Sequence, residues 1–518
     1  MVRRLTNRIL ANAGLSGDPE WRRQFILTAK VAAAFHLVAA WYSAGFYQSD
    51  EHFQVLEFLQ QRLSGADPEG LAVEFHRAMR SWVQPGILYL VSRPFEWVGI
   101  ENPFHWALAF RLFSAAWGWL ATMAMAAASY RFFRDSARRQ LVLLLSALLW
   151  FLPVLHARPS SENWGGTAFF LGLAWLSLAA RGPGPASRVI ESAVFGIGGF
   201  LFGLAFEFRY QTAFMALGAV AWWIVHGGAR TRQLLGLFLG GSLALAIGLL
   251  AGRWGYGFWT ISPWNYIEFN LIEGRVGASD TGPVWDFFRL TTTETWPGLG
   301  IMAFLAYLVA CIRSPKHPFV WATLPLVVVH HLIGHKELRF LFPVAHALPV
   351  LIPLALERVY PFRNGFVRFA SGFLLVWNLV ALNTLCLIPA WQGIELYQAI
   401  YRDSDRPLFY FGTEDPYLVL GIPLRFYRPP DLETRPAPDE LTLRRFPGPF
   451  DLIYIAGRSE PSVGLVTDRR CRLIYSRLPD WMRESVFAGL LRNIKDWRLL
   501  SCSGEEVDDP PGDARDER

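Results

Sequence analysis

Lysine is nearly missing from this chain. Only Lys30, Lys316, Lys336 and Lys495 occur in 518 residues, so arginine carries almost all of the positive charge. That bias fits a GC-rich, bacterial genome and says nothing about mechanism. Cysteine is as scarce: Cys311, Cys386, Cys471 and Cys502, with no CxxC pair, which argues against a thiolate zinc site or a dithiol redox centre. Cys471 and Cys502 suit one disulfide if the tail is extracytoplasmic. There is no glycine-rich phosphate loop, no HExxH and no GxSxG, which removes P-loop nucleotide enzymes, zincins and serine hydrolases of the α/β type. No internal repeat is present, and nothing points to nucleic acid as a partner.

Charge is also sparse, at 18% of residues, while 53% are hydrophobic and Trp and Phe number 22 and 40. Mean hydropathy is +0.25. Together these values define a multi-span membrane protein. Apolar stretches that suit spans lie near 24–46, 104–129, 141–157, 164–180, 190–207, 212–226, 234–251, 297–312, 319–334, 341–356 and 367–389, about eleven in all. The first is too long for a signal-peptide core and lacks a small-residue cleavage site, so it reads as a retained span. The stretch 84–99 is interrupted by Arg93, Pro94 and Glu96. Reading it as an interfacial or re-entrant helix puts the Arg-rich connections on one side, with the N-terminus cytoplasmic.

The opposite side then receives 47–83, 156–163, 206–211, 252–296, 335–340 and everything after about 390. Residues 47–83 carry helical spacing, with Phe53, Leu56, Phe58, Leu59 and Leu63 expected toward lipid and Glu57, Gln60 and Arg62 toward water. The chain divides into a membrane domain, 1–389, with 47–99 as its first outer loop, a small α/β extracytoplasmic domain, 390–502, and an acidic, Pro-rich tail, 503–518, read as disordered. In the α/β domain, 408–411, 451–455 and 472–475 read as strands and 481–491 as a helix.

Charged residues gather at the outer rim rather than mid-span, where a transporter would place them. Two clusters stand out: Ser49-Asp50-Glu51-His52, and His335-Lys336-Glu337-Leu338-Arg339-Phe340 between two apolar runs. Around them the rim offers Glu74, Glu162 and Glu207 as carboxylates and Arg80, Arg158 and Arg209 as cations. An ionised carboxylate can take a proton from a hydroxyl, and Lys or Arg can hold a phosphate as it leaves. That pair of functions is what sugar transfer from a lipid phosphate requires. No phosphoanhydride is cleaved, so no cofactor and no divalent metal are expected. The same residues would also serve as structural ion pairs between loops, Asp50 as a helix N-cap, and His330 and His331 as packing groups.

The HKELRF segment resembles the HKEERF signature of the family 22 glycosyltransferases, which include the mannosyltransferases of dolichol-linked oligosaccharide and GPI-anchor assembly. Asp50-Glu51-His52-Phe53-Gln54 with Glu57 resembles that family's PDE-x-F-Q-x-x-E loop. Glu74-Phe75, Arg80-Ser81 and Pro85 resemble its WEY…RS…P stretch, and Arg158, Ser161, Glu162 and Asn163 its R-x-x-S/N-x-E element. Tyr256-Gly257, Pro263, Asn265 and Asn270 resemble a further stretch. The match runs in order from about 24 to 390. Ser49 stands where the family has proline, Leu338 where it has a second glutamate, and Gly252-Arg253 where it tends to have Asp-Ser.

The resemblance implies a GT-C multi-span helical bundle, an inverting α-mannosyltransferase, and a polyprenyl (dolichyl)-phosphate mannose donor. Its partners would be membrane lipid, that donor, and a glycan or glycolipid acceptor. Asp50 maps to the catalytic base, with Glu51 as the alternative. His335, Lys336 and Arg339 map to the donor phosphate, and Glu337, Glu74, Arg80, Arg158, Glu162 and Arg209 to the cavity. The site would lie on the periplasmic face of a bacterial inner membrane, or in the endoplasmic reticulum lumen of a eukaryote. Transfer of another lipid-phosphate sugar, or flipping of a lipid-linked saccharide, remain the alternatives.

Overall fold

The computed structural model describes residues 2–65, 67–179, 188–274, 281–357, 364–403, 405–456, 460–478 and 496–503. The chain forms two compact units: Met1–Asp67 with Ala72–Ala390, and Pro68–Leu71 with Trp391–Arg518.

Among its described residues, the first unit is helical apart from one isolated β-bridge. Among the described residues, five helices are long and apolar enough to cross a membrane: Pro19–Tyr42, Pro103–Phe132, Val189–Phe208, Thr231–Tyr256 and Gly365–Leu387. Three of the helices that form these spans start on a side-chain cap. Asp18, Asn102 and Asn364 accept from the backbone N–H groups of Trp21, Phe104 and Phe366, each at 2.9 Å, and proline follows the first two caps at once.

Among the described residues, all eleven apolar stretches are helical over most of their length, but not all are single spans. Leu299–Arg313 and Pro318–Leu332 form a pair bent by 120°, and Leu338–Ala345 and Leu348–Ala355 a pair bent by 81°; with each pair taken as one span, seven segments among the described residues are long and apolar enough to cross. Proline sets several of these breaks, because it removes a helical donor and disfavours helix in the residue before it. The same effect divides 141–157 into Ser136–Leu148 and Leu152–Ala157, with Pro153 at the second start. Ser161–Ala179 is largely buried among the other helices. Val83–Trp97 has 15 residues, about 22 Å of helix at 1.5 Å per residue, which is short of a bilayer core.

Val189–Phe208 and Thr231–Tyr256 cross at backbone contact. A Cβ on Gly199 would lie 2.1 Å from the Leu237 carbonyl oxygen, and one on Gly240 would lie 1.9 Å from that of Gly196. Small residues at a crossing are how membrane helices gain close packing without a hydrophobic driving force. Polar side chains in the interior find partners: His36 Nε2 and His156 Nδ1 are 2.8 Å apart. His330 and His331 each bond a carbonyl one turn back, Leu326 at 2.9 Å and Val327 at 2.8 Å.

The first outer loop departs from the sequence expectation. Phe53, Phe58 and Leu59 are buried in protein rather than turned to lipid, and Glu57 is fully buried rather than facing water. The reason is a π-helical turn over His52–Leu56 between the helices Ser49–Glu51 and Glu57–Ser64. It breaks the 3.6-residue phase on which the expectation rested. His52 Nε2 and Glu57 Oε1, five residues apart, meet at 2.7 Å.

The second unit contains a five-stranded mixed sheet in the order Thr434–Ala437, Leu408–Phe411, Phe450–Ile455, Trp497–Cys502, Arg472–Ser476. The first three strands run parallel and the last two pair antiparallel to their neighbours. Phe409, Leu443, Phe450, Leu452, Leu465 and Leu500 fill its core. Cys471 and Cys502 form a disulfide. Register brings them together, because Arg472 pairs with Ser501. The helix expected at 481–491 and nearly all of the tail, 504–518, lie outside the described residues.

Candidate active site

Helix ends assemble the polar cluster. Asp50 lies in the short helix Ser49–Glu51 that follows the first span. Gln48, not Asp50, holds the N-cap position, so the Asp50 carboxylate is not used as a cap. Arg80 precedes Val83–Trp97, Glu162 opens Ser161–Ala179, Arg209 follows Val189–Phe208, and Arg339 lies in the 3₁₀ turn Leu338–Leu341.

Arg339 is the hub. Its Nη1 pairs with Asp50 Oδ2. Its Nε and Nη2 contact the two oxygens of Glu337 at 2.6 and 2.9 Å, and Nε lies 3.9 Å from Glu162 Oε1. Glu162 Oε1 in turn pairs with Arg209 Nη1 at 3.2 Å. Arg80 Nη2 stands 3.9 Å from Asp50. His335 Nε2 bonds Glu337 Oε1 at 2.8 Å. Three arginines thus share three carboxylates: Arg339 touches all three, while Arg80 shares Asp50 with it and Arg209 shares Glu162 with it. Fixed guanidinium forks suit this sharing better than a point-charge ammonium does.

Burial works to raise the Asp50 carboxyl pKa. The guanidinium groups of Arg339, Arg80 and Arg209 outweigh that and hold it below the ordinary carboxylate value. Asp50 is therefore ionised, and its side chain keeps 22% of its surface exposed. Glu51 differs. Arg158 grips its two oxygens at 3.0 and 3.2 Å, and both partners are buried. Arg158 also donates to the carbonyls of Ser43 and Gly45, so this pair closes the turn leaving the first span.

The remaining expected residues are placed as follows. Glu74 accepts from Gln54 Nε2 at 2.8 Å and lies within the electrostatic reach of Arg80. The Lys336 ammonium donates to the carbonyls of Gly282, at 3.2 Å, and Ile333. It thereby ties 281–282 to 333–336, where Thr281 bridges His335 and Gly282 N–H bonds Gly334. The structure joins Asp50, Arg80, Glu162, Arg209, Glu337, His335 and Arg339 in one cluster. It holds Glu51 with Arg158 as a separate pair and spends Lys336 on backbone. Sequence reasoning passed over Tyr266, whose ring lies 5.5 Å under the Arg80 guanidinium. It also passed over Thr281 and Gly282; their roles come from contacts across more than fifty residues, for which the sequence gives no local sign. Among the described residues, no group of three His, Cys, Asp or Glu side chains has metal-holding geometry.

A multi-pass membrane protein with one shared ion cluster at its helix ends is the class that this fold and site define. The chain belongs to the Alg9-like mannosyltransferase family, whose model matches residues 27–431. GPI mannosyltransferase 3 of Yarrowia lipolytica is 23% identical over 378 residues, 68% of this chain and 65% of that protein. GPI alpha-1,2-mannosyltransferase 3 of Danio rerio is 29% identical over 145 residues, 27% of this chain and 25% of that protein. The matched region therefore spans less than two thirds of either relative. Among solved structures, ArnT from Cupriavidus metallidurans bound to undecaprenyl phosphate gives a TM-score of 0.49 at 13% identity, covering 94% of this chain and 98% of that one.

Proposed function

We propose that this chain moves mannose from a polyprenyl-phosphate donor to a hydroxyl of a glycolipid or lipid-linked glycan, with inversion at the anomeric carbon. The observation that carries the reading is Asp50: an ionised, partly accessible carboxylate held against Arg339 and Arg80 in a chain of the Alg9-like mannosyltransferase family. Relatives named for GPI mannosyl transfer support mannose as the sugar and a glycolipid as acceptor. The site is assigned to the membrane face opposite the Arg-rich connections, periplasmic in a bacterium and lumenal in the endoplasmic reticulum.

Arg339 and Arg80 receive the negatively charged donor phosphodiester. In doing so they loosen their hold on Asp50, which regains basicity as the competing anion arrives. Asp50 takes the proton of the acceptor hydroxyl as its oxygen bonds to the anomeric carbon. The bond from that carbon to the phosphate oxygen breaks, and polyprenyl phosphate leaves with the added negative charge in the field of the arginines. Glu337 and Glu162 keep Arg339 and Arg209 in place through the cycle. Glu51, with both oxygens on Arg158, positions the helix that carries Asp50. The step breaks a carbon–oxygen bond rather than a phosphoanhydride, so it has no built-in need for a divalent cation.

The test is transfer by the purified chain in nanodiscs, from polyprenyl-phosphate mannose to a membrane glycolipid, beside Asp50→Asn. The wild type transfers mannose, and the variant loses about 10²–10⁴-fold in rate while still binding donor. Equal rates in the two proteins would remove Asp50 as base. Turnover only with another polyprenyl-phosphate sugar would overturn mannose.

A further inference from the structure

Beside the ion cluster, and joined to it through Arg80, lies a second polar group whose other members the proposed transfer does not use. Gln211 donates from Nε2 to the Tyr266 hydroxyl at 2.7 Å, and its own Oε1 is buried without a partner. The hydroxyl of the adjacent Tyr210 is likewise buried and unpartnered, with its ring 5.4 Å from that of Tyr266. Arg80 Nε is a third such atom, and its guanidinium lies over the Tyr266 ring. Ser81 donates to Glu207 Oε2 at 2.5 Å, and among the described residues Glu207 makes no ion pair. The electrostatic reach of Tyr210 includes Glu207, Arg80 and Tyr266, so these groups share one neighbourhood.

Unpaired buried polar atoms cost folding free energy and are rare in native proteins. Three together, next to the Asp50 cluster, are groups left open for a ligand. Their chemistry is mixed: Gln211 Oε1 accepts, Arg80 Nε donates, and the Tyr210 hydroxyl does either. Tyr266 and Tyr210 add aromatic faces. A phosphate would call for donors alone. A ring bearing several hydroxyls, each a donor and an acceptor, with an apolar C–H face, satisfies all of them. We infer that Tyr210, Gln211, Tyr266 and the Ser81–Glu207 pair form a subsite for a neutral hexopyranose beside Asp50. The inference rests on the proposed mannosyl transfer for the identity of the sugar. The hexose is either the donor's own or the first sugar of the acceptor, and both present the same hydroxyl chemistry.

The test uses Tyr210→Phe and Gln211→Leu in the full-length purified chain. Tyr210→Phe removes an unpartnered hydroxyl alone, so if that hydroxyl meets no ligand the change leaves Tm unchanged or raised and binding untouched. Gln211→Leu removes an unpartnered acceptor together with the donor to the Tyr266 hydroxyl, so its binding is read beside its own Tm. Polyprenyl-phosphate mannose and an alkyl α-mannoside are titrated separately. The expected result is a Kd raised about tenfold for one of the two ligands, with Tm maintained in Tyr210→Phe. Weakening for the lipid-phosphate sugar places the donor hexose here; weakening for the alkyl mannoside places the acceptor. Unchanged Kd for both, or no binding of either by the wild type, overturns the subsite. Because binding is read apart from turnover, absence of mannose transfer by the wild type would sink the proposed reaction without deciding this comparison.

Discussion

Arg158 holds both carboxylate oxygens of Glu51, the residue next to Asp50, in a buried pair that also gathers the carbonyls of Ser43 and Gly45. Removing one partner strands the other charge away from water. Glu51→Ala and Arg158→Ala each lose stability by about 3–5 kcal/mol. Thermal unfolding in detergent shows this as a large fall in Tm. An activity loss with Tm unchanged would instead place Glu51 among the reacting groups.

Arg339 contacts three carboxylates through one planar group, Asp50 by Nη1 and both Glu337 and Glu162 by Nε. Lysine keeps the charge and loses the fork. Arg339→Lys lowers kcat/KM for the lipid-phosphate donor by about tenfold or more, because the ammonium cannot hold Asp50 and Glu337 together. Steady-state kinetics on the purified variant check it, and a wild-type kcat/KM would return Arg339 to a plain point charge.

The Asp50 pKa lies lower in the folded protein than its ordinary 3.8. A depressed carboxyl contributes stability that is fully present above the unfolded value. It is lost as pH falls through the folded one. The wild type therefore loses Tm below about pH 4, and Asp50→Asn shows a shallower acid limb over the same window. Parallel acid limbs in the two proteins would mean that the arginines do not hold Asp50 when folded.

The disulfide between Cys471 and Cys502 closes a loop with a sequence separation of 31. By loop closure alone, such a bridge contributes about 3–4 kcal/mol. Cys471→Ser with Cys502→Ser lowers the unfolding temperature of the C-terminal unit, read by a probe in that unit. An unchanged transition would show that the sheet core suffices.

Much of this was legible in the sequence, for identifiable reasons. Long apolar runs need only a count, so every expected stretch is helical; proline and helix packing decided which of them are single spans. Asp50, Glu162 and Arg339 were legible because charge at a span boundary is expensive and so conspicuous. Which acid met which base was not, since pairing depends on contacts between residues as far apart as Asp50 and Arg339. Strands at 408–411, 450–455 and 472–476 showed their alternation, whereas Thr434–Ala437, with a proline in it, and Trp497–Cys502 did not. Glu57 was misread because helical periodicity assumes one pitch throughout.

The π-helical turn at His52–Leu56 amounts to one residue more than an α-helix would hold. That extra residue is taken up inside the turn, so the segment carrying Asp50 and the helix Glu57–Ser64 keep nearly the phase that a regular helix one residue shorter would give them. What the wide turn changes is local: residues five apart come to share a face, which is how His52 and Glu57 meet at 2.7 Å. Shortening the loop by one residue would therefore cost this buried acid–imidazole contact before it cost the aim of the base.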